Sequence, residues 1–228
     1  MRTLLLLLIL SVVSGCTGDN AKPFSVKNLA KSDIDMVTDV NIKEWKRLAR
    51  ELTIKLYKRN PRELKKVEGM TLDRRLDMLF PVTRLPNGFK ELGYKDGVDV
   101  APLAFSDEYK GDRVFAYMAA ITGMLHTAYN GKEEIFILDD LSHQKLYNAA
   151  RNLESFAWHL NNRRDSQGNL YLLSNGIADN GTPNYSYERI LGKLISLQDV
   201  MATVIADSTN RTINRVVQGA ASMTFFPI

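Results

Sequence analysis

Residues 112–129 read DRVFAYMAAITGMLHTAY, and the fold follows from how they distribute around a helix. Ten of the twelve residues from 114 to 125 are apolar, the exceptions being Thr122 and Gly123. At about 100° per residue, Val114, Tyr117, Met118, Ile121, Met124 and Leu125 form a bulky face. Ala116, Ala119, Ala120 and Gly123 form a small one, which lets a neighbouring element approach closely. A helix apolar on every side needs other elements around it. The stretch is therefore predicted as the central helix of an all-α bundle.

The flanking sequence supplies the partners. Ser32 and Asp35 stand at capping-box spacing, and from there to Arg59 the residues Ile34, Ile42, Trp45, Leu48, Ala49, Leu52 and Leu56 share one helix face. Asn60 and Pro61 break that helix, and Asn60, Pro61 and Glu63 can cap a short successor ending near Val67. Thr71 caps another over 72–80. Residues 81–110 hold Pro81, Pro86, Gly88, Gly93, Gly97 and Pro102 and read as a long connection with one helical turn near 89–92.

Beyond the central helix, 135–138 (IFIL) reads as a strand or a buried connection, able to pair with 170–173 (LYLL). Asp139 or Asp140 caps a helix over 141–162 with Leu146, Ala149, Ala150, Leu153, Phe156, Ala157 and Leu160 on its core face. Tyr147, Arg151, Glu154 and Trp158 run beside that face, and His159 sits on a polar face with Asn148, Asn152 and Ser155, read as solvated. Ser186 opens a long helix whose face of Tyr187, Ile190, Leu191, Leu194, Met201, Val204 and Ile205 continues through Ile213 and Val216 to about Gly219. The tail TFFPI, 224–228, is apolar and should dock. The expectation is one α-helical domain over 32–228, a bundle of four to five major helices with long loops and one minor two-stranded element.

Composition is that of an ordinary globular domain, 45% hydrophobic and 25% charged, with a formal net charge of +4. The charge is uneven. Residues 43–75 carry twelve Lys and Arg against five Asp and Glu, a local +7. Lys43, Lys46, Arg47, Arg50 and Lys58 fall opposite the core stripe of the first helix, a ridge suited to anionic lipid or an acidic envelope protein. The mild overall charge calls for no nucleic-acid partner, and the sequence calls for no cofactor.

Residues 1–16 read MRTLLLLLILSVVSGC, with one basic residue, an apolar run of signal-peptide length and small residues before the only cysteine of the chain. This pattern resembles the lipobox of bacterial lipoproteins. The resemblance implies cleavage after residue 15, acylation of Cys16 and a membrane anchor, with 16–31 as a tether. Thr17, rather than aspartate, follows the cysteine, which in that class implies the outer membrane facing the periplasm. The alternative is an ordinary secretory signal with an incidental cysteine. The stretches 55–64 (KLYKRNPREL) and 144–160 (QKLYNAARNLESFAWHL) also resemble an uncharacterised proteobacterial lipoprotein family, which brings no function with it.

For catalysis, Glu154-Ser155-Phe156 and Ala128-Tyr129-Asn130-Gly131 resemble fragments of lytic transglycosylases, in which such a glutamate is the general acid. Their order along the chain is reversed relative to that family, and no GLMQ-like stretch lies between them. His126, His143 and His159 lack metal-ligand spacing, and Asp96-Gly97-Val98-Asp99 and Asp165 to Asn169 lack the terminal bidentate glutamate of a calcium loop. The function expected is structural or interacting rather than catalytic. A peptidoglycan-cleaving enzyme is the alternative and an apolar-ligand carrier a third reading.

Overall fold

A computed structural model of the chain describes residues 29–81, 88–177, 180–214 and 224–228. The signal segment, Cys16, the tether up to residue 28, Pro86, Val216 and Gly219 lie outside the described residues. The architecture is all-α with one tiny sheet: α1 (Asp33–Arg59), α2 (Pro61–Leu64), α3 (Leu72–Leu79), α4 (Ala101–Ala104), α5 (Arg113–Ala128), α6 (His143–Asn162), strands β1 (Gly176–Ile177) and β2 (Pro183–Asn184), and α7 (Ser186–Ser208).

The four long helices form a ring of contacts, with α7 against both α1 and α6, and α5 against both α1 and α6. Every residue of α5 from Val114 to Leu125 is buried. The apolar stripe of α1 from Ile42 to Leu56 is buried as well, and Ile34 is partly so. Ser32 and Asp35 close a reciprocal capping box at the start of α1. Thr71 and Ser142 cap α3 and α6 by accepting from Arg74 N–H and Lys145 N–H. The N-cap of α6 is thus Ser142, not either of the aspartates before it.

Four local expectations change. The connection before α5 contains a 3-10 turn, Gly97–Val100, leading into α4, and its Val100, Ala101 and Ala104 are fully buried. Asp96 accepts from Gly97 N–H at 2.8 Å, and Pro102 sits at the start of α4, where a missing N–H costs nothing. Gly97 has φ +54° and lies so close to α5 that a Cβ there would meet Met124 N at 3.5 Å. The small face of α5 accommodates this turn near Gly123.

Residues 135–138 are not a strand. Ile135 is buried with its N–H donating to Asp39 Oδ1 at 2.8 Å, while Ile137 and Leu138 are exposed. The strand-like 170–173 segment pairs elsewhere: Leu170 bridges antiparallel to Arg164, and Asn60 accepts from Leu173 N–H and donates to Leu173 O, both at 2.8 Å. The minor sheet forms further on, where β1 and β2 pair antiparallel.

Helix α7 stops at Ser208, and Ile213 lies beyond it. Asn210 takes φ +51°, Arg211 N–H reaches Ala206 O at 2.9 Å and Asn210 N–H reaches Asp207 O at 3.3 Å, a Schellman termination. Asparagine tolerates the left-handed conformation, so Asn210 ends the helix despite the apolar periodicity that runs past it.

Candidate functional site

The basic face of α1 is built on a helix whose opposite stripe is locked into the core, which holds its outward side chains in a fixed row. Lys43, Arg47, Arg50 and Lys58 are exposed and Lys46 is half-buried. Two of the five are already occupied. Arg47 forks onto Glu44 at 2.7 and 2.8 Å and reaches Glu51 at 3.3 Å, holding the Glu44 carboxyl below its usual range. Lys46 pairs with Glu133. Among the described residues, Lys43, Arg50 and Lys58 have no ion pair.

The structure adds a feature that charge counting does not show. Met36 and Val40 are exposed at 38% and 63%, and helical spacing puts them on the same face as Lys43, Arg47, Arg50 and Lys58. Leu29, Val37, Ile137 and Leu138 are exposed around that end of the helix, where Ile137 N–H binds Ala30 O at 3.1 Å. One side of the molecule is therefore apolar at the start of α1 and cationic further along. The missed signal was the apolar residues outside the core stripe.

Glu154 and Tyr129 are not brought together. Glu154 pairs with Arg151 at 3.0 Å, and the same guanidinium reaches Asp199 of α7 at 2.7 Å and stacks on Tyr147. Partial burial raises the Glu154 carboxyl pKa. The Tyr129 hydroxyl is enclosed between the amides of Asn41 and Gln198 at 2.7 and 2.8 Å. Asp165 closes a turn by accepting from Gln167 N–H and Asn169 N–H.

His159 is not solvated; it is 7% exposed. The polar row on α6 is where the chain returns after α7. Gln144 brackets the Asn214 backbone at 3.0 and 3.2 Å, and Asn152 brackets Phe226, accepting its N–H at 2.6 Å and donating to its carbonyl at 2.8 Å. Asn148 donates to Pro227 O and Ser155 to Thr224 O. The tail docks as its apolar composition requires, with Phe225 against Phe156 and His159. Burial and the neighbouring Arg163 lower the His159 pKa to about 4, so the ring is neutral at pH 7.

A second unforeseen cluster caps α5. Asp112 accepts from Phe115 N–H, the Tyr57 hydroxyl and Arg75 Nε at 2.9, 2.8 and 3.1 Å. Arg75 is fully buried, stacks 3.9 Å from the centre of the Phe115 ring and forks onto Glu91. Glu63 accepts from Arg113 N–H at 2.8 Å and from Lys66. Burial pushes the Asp112 carboxyl up, the largest influence on it. Asp112 and Arg75 have no exposed surface, and this pair positions the start of α5.

No protein-family model, curated protein or solved structure matches this chain.

Proposed function

We propose that this protein is an outer-membrane lipoprotein, anchored through acylated Cys16 and facing the periplasm, whose helical body holds one face of α1 against anionic headgroups or an acidic envelope protein. The observation that carries this reading is the continuous exposed face of α1, with Met36 and Val40 at the end nearest the tether and Lys43, Arg50 and Lys58 beyond. Apolar side chains entering a headgroup layer and cations meeting its charge are the two interactions by which a helix lies on a membrane surface. Each cation near an anionic surface contributes about 1 kcal/mol, screened over a Debye length of about 8 Å at physiological salt. The tether, residues 16–31, has an r.m.s. span of roughly 20 Å, which lets this face approach the bilayer. The role is structural or interacting, and Glu154 serves as part of an ion-paired helix flank.

The anchor is tested by cell fractionation and intact mass. The membrane-extracted protein should begin at Cys16 and carry acyl chains, and Cys16→Ser should become soluble or remain unprocessed. One chain gives only marginal attachment, so more than one is expected. An unmodified Cys16 in the mature wild type contradicts the proposal.

A further inference from the structure

A cavity of about 520 Å³ lies between the 101–107 segment, the C-terminal end of α6 and the tail, with Phe105, Asp107, His159, Arg163, Tyr171 and Phe225 in its lining. That volume falls in the range of small-molecule sites, about 300–1,000 Å³. Its walls are largely rings. Phe105 sits 5.4 Å from His159 and 6.3 Å from Tyr171, and Phe225 sits 5.4 Å from His159, measured between ring centres. Tyr171 is fixed by its hydroxyl on Asp107 at 2.9 Å and by the Arg113 guanidinium, 4.8 Å from the ring centre.

His159 Nδ1 is sealed from solvent and has no hydrogen-bond partner among the described residues. A sealed nitrogen is least costly as a bare lone pair, because an orphaned N–H forfeits a donor bond that nothing replaces. The proton of the neutral ring then belongs on Nε2, the polar atom left for the open edge of the imidazole. With His159 uncharged, the charged side chains lining the cavity among the described residues are Asp107 and Arg163, one of each sign. The Asp107 carboxylate is oriented by the Tyr171 hydroxyl and by Ser166 N–H at 3.1 Å, and Arg163 has no ion pair among the described residues. A ring-walled pocket with one anion and one cation matches a molecule with a flat apolar body and both charges.

We propose that this cavity binds a small aromatic zwitterion of the amino-acid class, its ring among Phe105, Tyr171 and Phe225, its carboxylate at Arg163 and its ammonium at Asp107. His159 donates from Nε2 to the bound carboxylate. This site is separate from the α1 face and stands whether or not that face meets a membrane.

Four probes that share a phenyl ring and differ in charge test the proposal: L-phenylalanine, phenylacetate, phenethylamine and benzyl alcohol. Calorimetric titration into soluble mature Cys16→Ser protein should rank phenylalanine first, about tenfold ahead of either singly charged probe. Arg163→Gln should bring phenylalanine down to the level of phenethylamine, and Asp107→Asn to that of phenylacetate. Asp107→Asn keeps an acceptor for the Tyr171 hydroxyl, and Arg163 is exposed, so both variants should fold. Absence of binding by all four probes overturns the proposal. Benzyl alcohol binding as tightly as phenylalanine, or a ranking unchanged in both variants, overturns it equally.

Discussion

The ridge of α1 and the polar row of α6 are both lines of hydrophilic side chains opposite a core stripe, yet they end in opposite surroundings. Lys43, Arg50 and Lys58 remain in solvent, whereas Asn152 and Ser155 are fully buried under the returning chain. The difference lies in what each side chain costs to desolvate. An ammonium or guanidinium must take a counter-charge with it, as Arg75 does with Asp112 and Glu91. A neutral amide needs only matched hydrogen bonds, and a peptide group supplies both a donor and an acceptor. A row of Asn, Gln and Ser on a helix is thus a surface on which extended backbone can dock, while a row of Lys and Arg is not.

The sharpest way to break the comparison is Asn152→Ala. It orphans the N–H and carbonyl of Phe226 and should cost about 2–3 kcal/mol, lowering Tm by about 5–10 °C in calorimetry. In a chain lacking 224–228 the same substitution should cost far less. An equal cost in both backgrounds would mean that the tail does not rest on Asn152.

Next in size is the pH response of the α6 row. The folded pKa of His159 is lowered to about 4 from an ordinary 6.5, so between those values the unfolded chain binds the additional proton. This contribution lowers stability as pH falls from about 6.5 to about 4, and it levels off below. Wild type should lose about 1–2 kcal/mol more than His159→Gln over that window, read from urea midpoints. Identical pH profiles would show that the imidazole is solvated after all.

Smaller effects are expected where charge remains accessible. Glu154→Gln removes a half-exposed partner of Arg151, which keeps Asp199, and should cost well under about 1 kcal/mol and leave any cellular phenotype intact. Loss of a glycan-cleaving activity in that variant, with folding retained, would reassign Glu154 to catalysis. Replacing Lys43, Arg50 and Lys58 together by Gln should change stability by no more than about 0.5 kcal/mol and leave the helical circular dichroism unchanged.

What could be read from the sequence follows the same division. The helices with strong apolar periodicity and capping residues, α1, α3 and α5, are legible because burial and local hydrogen bonding point the same way, whereas α6 is legible from its apolar stripe alone, its cap being Ser142 rather than the aspartates before it. The end of α7 is not, since apolar spacing continues to Ile213 while the single left-handed Asn210 ends the helix. The 97–104 turns are short, and their glycine and proline read as loop until the packing against α5 is seen. His159 reads as solvated because its row is polar, and only the return of the tail, far along the chain, encloses it. The cations of the ridge were legible one by one; their local neutralisation at Arg47 and Lys46, and the apolar Met36 and Val40 beside them, depended on three-dimensional placement.

The central claim, that this face of α1 meets an anionic surface, is tested most directly by vesicle co-sedimentation of the mature Cys16→Ser protein. Wild type should bind vesicles rich in anionic phospholipid at low salt, ignore neutral ones, and be released as ionic strength rises. Lys43→Glu, Arg50→Glu and Lys58→Glu together should weaken binding by at least about tenfold, since each cation contributes about 1 kcal/mol near such a surface. Equal binding by wild type and the triple variant, at every salt concentration, would contradict the claim and leave the ridge as solvated surface.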